Sequence, residues 1–133
     1  MKISKFTVML LLAGGLTAIA EEYPEFVTWM KTTGTASDEL KKMEQKTGEE
    51  AMRRAEKIAG VYENMIGFWR QRNMSDAVKW SEDGKAAAMQ LATAAHANDA
   101  EKAKSALASL NSTCRSCHEA HREKIADGKY RIK

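Results

Sequence analysis

The sequence predicts an all-α chain folded as an antiparallel, up-down-up-down four-helix bundle. Three observations carry that expectation. Pro24 is the only proline in 133 residues, and there are only eight glycines. Ala, Lys, Glu and Met, all strong helix formers, are prominent in the rest. No stretch alternates apolar and polar residues with the period of two that marks a half-buried strand. Four segments instead repeat apolar residues at helical spacing, joined by short polar breaks that favour antiparallel neighbours.

Residues 1–20 read as a secretory signal peptide. Lys2 and Lys5 give the positive start, Phe6 to Leu16 the short apolar core, and Ala18-Ile19-Ala20 a small-x-small cleavage site. The uncharged run over residues 6–20 is 15 long, short of the ~20 that a membrane helix requires. No cysteine follows to carry a lipid. The expected mature domain is therefore residues 21–133, exported to the periplasm without stable membrane insertion. Cleavage leaves 113 of the 133 residues, enough for one domain with one core. Lys2 and Lys5 leave with the signal, so 21 basic residues fall to 19 against 18 acidic. A net charge of +1 points to no nucleic-acid partner.

The first helix is expected over residues 24–44, with Pro24 in its first turn and Phe26, Val27, Met30, Gly34, Leu40 and Met43 along its apolar stripe. Thr47 and Glu50 have the spacing of a capping box for a second helix over residues 49–70. Its inward set is Met52, Ala55, Ile58, Ala59, Tyr62, Met65, Ile66 and Trp69. Ser75 is the expected N-cap of a third helix, residues 75–97, with Ala77, Trp80, Gly84, Ala87, Ala88, Leu91 and Ala95 inward. Asn98 and Glu101 form a second capping box for the fourth, which runs to Asp127-Gly128 before a loose tail at residues 129–133. Ala103, Ala106, Leu107, Leu110, Cys114, Cys117 and His121 share its inner stripe. The predicted core is rich in Ala, Gly and Met. Small side chains leave room for a flat cofactor, although alanine is also simply a good helix former.

Both cysteines of the chain lie in Cys114-Arg115-Ser116-Cys117-His118. Cys-x-x-Cys-His is the attachment pattern of c-type haem. Two thiols one helical turn apart can add to the two vinyl groups of a porphyrin, and the next histidine can serve as the proximal ligand. Three plainer readings compete. A thioredoxin-like dithiol wants a βαβ context that is missing here. Zinc would gather Cys114, Cys117, His118 and His121 on one third of the helix surface, but sequence neighbours such as Cys117 and His118 rarely close on one tetrahedral ion, and structural zinc usually draws on two segments. A disulfide would close a very short loop on a helix. Export decides among them, because a free vicinal dithiol in an oxidising compartment would oxidise, and covalent haem gives the pair a purpose. The seven-residue steps Leu107 to Cys114 and Leu110 to Cys117 place the motif, and with it the haem, in the bundle core.

With this motif on the last of four helices, the chain resembles the class II c-type cytochromes, the cytochrome c′ family. The resemblance is best over residues 98–124, where an Asn-Asp start precedes an Ala-rich helix, the Cys114-x-x-Cys117-His118 motif and Arg122. Met30-Lys31-Thr32-Thr33-Gly34 is similar to the family's Met-Lys-x-x-Gly segment on the distal side of the haem. Three departures stand out. Phe26 fills a place that is often basic, and His121 one that is usually aromatic. The connection between the second and third helices is short and lacks proline, so residues 68–88 align loosely.

The resemblance implies one covalent haem c, bound through Cys114 and Cys117 and ligated by His118. It also implies a non-enzyme, since the haem supplies the chemistry while the protein tunes potential and access. In low-spin members a methionine is the sixth ligand and the protein is a one-electron carrier serving redox partner proteins. The alternative is a five-coordinate, high-spin cytochrome c′ that binds NO or CO. Six methionines remain after the signal, and most core methionines merely fill space. Met30 stands where low-spin members carry their ligand, so His118 and Met30 are the expected iron ligands. Arg122 either neutralises a haem propionate or is a solvated surface residue. His121 is expected to fill the family's aromatic slot, His96 to lie on the surface, and Trp29, Trp69 and Trp80 to be core or dimer contacts. The resemblance leaves homodimerisation open.

Overall fold

Helices α1 (Pro24–Lys42), α2 (Glu49–Gln71), α3 (Ser75–His96) and α4 (Ala100–His121) are followed by strands β1 (Arg122–Ala126) and β2 (Lys129–Ile132). The computed structural model describes residues 23–133, so the signal-peptide expectation lies outside the described residues. Pro24 stands in the first turn of α1, where its missing N–H costs nothing and its φ is already helical. Glu25 in the first turn and Lys41 and Lys42 in the last complement the helix dipole. The helices are reversed by left-handed residues in each connection: Lys46 and Gly48, then Asn73, then Asn98.

These reversals move two expected caps by one residue. Gly48, at φ +92°, is the N-cap of α2 and offers no side-chain oxygen, so the Thr47–Glu50 box does not form. Asn98 is spent on the left-handed turn out of α3 at φ +54°. Asp99 therefore caps α4, its carboxylate accepting the Lys102 N–H at 3.0 Å. Met74, not Ser75, occupies the N-cap position of α3, without a side-chain hydrogen bond.

The chain end differs most from expectation. Instead of a helix running to Asp127 and a loose tail, α4 ends at His121, and β1 and β2 form an antiparallel hairpin. Asp127-Gly128 is the two-residue turn between them, and Gly128 takes φ +69°, a region in which a side chain is strained. Ile132 packs back against the helical core, and the Lys133 N–H donates to the His121 carbonyl at 2.9 Å. The hairpin thus closes onto the end of the fourth helix.

The helices pack as a bundle in which α3 rests on both α2 and α4 and α1 rests on α2, while α1 and α4 meet only sparsely. Trp69, Leu40, Ile58, Leu91 and Leu110 are the largest fully buried side chains, and alanine makes up half of the buried apolar residues among those described. On α1 the buried face is Phe26, Thr33, Ala36, Ser37 and Leu40. Val27, Met30 and Met43 are half-buried beside it, whereas Gly34 is exposed, with nothing within 4 Å of where its Cβ would be. Gly34 is therefore not on the packed stripe. On α4, Ala103, Ala106, Leu107 and Leu110 are buried, and the stripe then emerges to half-burial at Cys114, Cys117 and His121. Among the described residues no helix is long and apolar enough to cross a membrane.

Candidate haem-attachment site

The last two turns of α4 hold Cys114, Cys117 and His118, all half-buried. Both cysteines are free thiols. At three residues apart they lie about one turn from each other on neighbouring positions of one face. Burial pushes the Cys117 thiol up to about 11, with the Asp76 and Cys114 charges adding to it, so the sulfur carries its proton at neutral pH. Burial, and then the positive charge of Arg122, hold His118 below the ordinary histidine value. The neutral imidazole that results is the form that binds a metal.

Two residues outside the motif shape it: Tyr62, expected only as an inward position of the second helix, and His121, expected to fill the family's aromatic slot. Tyr62 reaches from α2 to bring its hydroxyl 3.3 Å from the Cys114 sulfur. Its ring crosses α3 at Gly84, where any Cβ would collide with it. Burial, and then the neighbouring Cys114, raise the Tyr62 phenol well above its ordinary value, so it remains an O–H.

His121, one turn beyond His118, lies between Trp69 and Trp80, with ring centroids 5.1 and 6.0 Å away. One ring nitrogen pairs with Asp76 at 2.9 Å and the other with the Lys133 carbonyl at 3.1 Å. The histidine thus packs as an aromatic ring while tying α4 to the start of α3 and to the chain end. Trp80 is half-buried, Trp69 buried and His96 exposed. Arg122 opens β1, exposed, with its guanidinium 4.3 Å from the Tyr130 ring centroid.

Met30 is set apart from these groups. It sits on α1, half-buried against the core, and α1 is joined to α4 by the Ser37 hydroxyl donating to Asn111 at 3.3 Å. One turn earlier Phe26 belongs to an aromatic cluster with Trp29, Phe68 and Trp69. Its burial there gives the apolar residue at this place a packing role. No three His, Cys, Asp or Glu side chains among the described residues converge as a metal-binding group. His121 is committed to Asp76 and Lys133, away from the arrangement a four-ligand zinc site would need. Grooves of about 510 Å³ between α2 and α3 and about 500 Å³ between α1 and α2 are lined by neither cysteine nor by His118.

Residues 63–122 match the family model described as Cytochrome C′. The match supports a class II c-type cytochrome of the cytochrome c′ family. The match takes in the later part of α2, all of α3 and α4, and the whole Cys-x-x-Cys-His motif, and it ends at Arg122, the first residue of the hairpin; α1 and Met30 lie outside it. No curated protein and no solved structure matches the chain. Members of the cytochrome c′ family bind a c-type haem covalently, are typically periplasmic, and act as electron carriers or gas-binding proteins. The residues present suit that group. Two free thiols one turn apart, that of Cys117 kept protonated by burial, stand beside a neutral imidazole. The buried Trp69 Nε1 and Thr33 Oγ1 have no hydrogen-bond partner, and a propionate-bearing cofactor brings acceptors of the kind an orphan indole N–H needs.

Proposed function

We propose that this chain is a periplasmic, monohaem one-electron carrier of the cytochrome c′ family, with His118 and Met30 as the axial ligands of a single haem c. Bound haem supplies reversible one-electron chemistry at its iron. In this reading Cys114 and Cys117 hold the group covalently, His118 presents a neutral nitrogen, and Arg122 lends positive charge on the proximal side. The protein is a carrier and not an enzyme, and it exchanges electrons with redox partner proteins. The observation that carries the reading is the place of Met30. It is the methionine of α1's half-buried flank, packed against the core on the helix that Ser37 ties to Asn111 of α4. A neutral thioether favours ferrous iron and raises the potential, as a carrier requires.

The test is optical. The protein matured with covalent haem should be low-spin in the ferric state, with a sulfur-to-iron charge-transfer band, and its ferrous form should bind CO poorly. Met30→Ala should turn it high-spin and CO-binding. A wild-type protein that is already high-spin and takes up CO readily gives the gas-binding function instead. Haem lost on denaturation and acid–organic extraction, or tight zinc without a Soret band, would contradict covalent attachment.

A further inference from the structure

Among the described glycines, Gly84 alone has its missing Cβ position occupied by another side chain. A Cβ there would lie 2.5 Å from Cζ of Tyr62, the ring carbon that bears the hydroxyl, and 2.6 Å from Cε1. Real Cβ atoms do not approach that closely, so any other residue at position 84 displaces the ring. The result is a notch in α3. Through it a tyrosine of α2, 5% exposed, delivers its hydroxyl to the Cys114 sulfur of α4 at 3.3 Å. Three helices are needed to make this one contact. Cys117 has no side-chain hydrogen-bond partner among the described residues, so the two thiols of the motif are held differently.

We infer that Tyr62 is a positioning residue for Cys114, its hydroxyl donating to Sγ and fixing the sulfur toward the bundle interior for thioether formation, with Gly84 as the residue that admits it. A phenol is a good donor and sulfur a weak acceptor, so the bond orients without immobilising. The high value to which burial pushes the phenol keeps that proton in place. In attachment the Cys114 S–H adds across a vinyl C=C. An S–C bond forms, the π bond breaks, and the thiol hydrogen ends on the other vinyl carbon. No electrons enter or leave, and Tyr62 keeps its own proton throughout. The inference rests on covalent haem attachment and is independent of the sixth ligand.

The experiment uses holoprotein made with a c-type maturation system. Tyr62→Phe, which keeps the ring in the Gly84 notch, is placed in wild-type, Cys117→Ala and Cys114→Ala backgrounds. Haem surviving denaturation and acid–organic extraction is measured per polypeptide. With Cys114 as the sole thiol, Tyr62→Phe should lower attachment about fivefold, the factor that the ~1 kcal/mol of a neutral hydrogen bond is worth. With Cys117 as the sole thiol, it should change nothing. In the wild-type background the haem fraction left with one thioether should rise. Its pyridine haemochrome should then show an unsaturated vinyl, and peptide mass mapping should find Cys114 unmodified. Gly84→Ala should give the same Cys114-selective loss, and adding Tyr62→Phe to it should cost little more. Equal losses in both single-thiol backgrounds would make Tyr62 a packing residue only, and no loss in any background would leave the hydroxyl without this role. A wild-type protein without covalent haem would instead overturn the functional reading itself.

Discussion

At the scale of single residues, carboxylates fix how the protein responds to acid. The Lys102 backbone N–H, which donates to Asp99, holds that carboxyl below its ordinary value of 3.8 despite partial desolvation. At Asp76, desolvation pulls the other way but is outweighed by the His121 hydrogen bond and the Ala77 N–H, so this carboxyl too is lowered. Both groups release their protons more readily in the folded chain than in the unfolded one. Their contribution is therefore complete above the ordinary value near 4 and is lost as pH falls through the lower folded values. The part of the melting temperature due to these two carboxylates should hold from neutrality to about pH 4.5 and fall below that. It comes on top of an earlier decline below the ordinary histidine value of 6.5, where His118 charges in the unfolded chain before it does in the folded one. Asp99→Asn, which preserves a capping oxygen but cannot titrate, should leave the neutral melting temperature nearly unchanged and make the acid limb shallower. Melting followed from pH 7 to 2 checks this; an identical acid limb would mean that the cap charge plays no part.

At the scale of elements, the hairpin shows both what the chain encoded and what was hard to see. Asp127-Gly128 between Ile125 and Tyr130 is a hairpin turn signal, but β1 is exposed along nearly its whole length, so it shows no apolar-polar alternation, and a helical motif runs straight into it. The four helices were legible because their burial repeats at helical spacing. The caps slipped by one because left-handed Gly48 and Asn98 take over positions that composition alone assigns to capping side chains. Within the site, the Cys-x-x-Cys-His motif was legible because it is local. The Tyr62 to Cys114 contact joins positions 52 apart through a notch in a third helix, and no sequence spacing encodes that. His121 is an intermediate case. Its place in an aromatic slot could be read from the resemblance, whereas its ties to Asp76 and Lys133 needed the fold. Gly128→Val should strain the turn by about 1–3 kcal/mol and speed hydrogen exchange of the β1–β2 amides. Exchange across α2 and α3 should be unchanged; if those helices also loosen, the hairpin is part of the bundle's cooperative unit rather than a clasp on its end.

At the scale of the whole molecule, the bundle is unevenly closed. α3 is gripped on both sides by α2 and α4, α1 is held chiefly by α2, and the α1–α4 contact is sparse. Alanine supplies half of the buried apolar residues among those described, and it cannot span the distance that Leu or Phe would. Two buried polar atoms, one on α1 and one on α2, are left without partners. A large planar group attached at the end of α4 would fill that side and tie α1 into the fold. Any group bound in the folded state and not in the unfolded one stabilises by that difference. Chain made without haem should therefore melt well below the holoprotein. Each ~1 kcal/mol is worth roughly 4–8 °C in a domain near this size, so even a modest contribution is readily measured. The loss should also be local in kind, with amides of α1 losing exchange protection first and those of α2 and α3 last, following which helices are held on two sides. If haem-free and haem-bound chains melt together, or if α1 is protected equally in both, the alanine-rich interior is already complete by itself and the haem lies outside it.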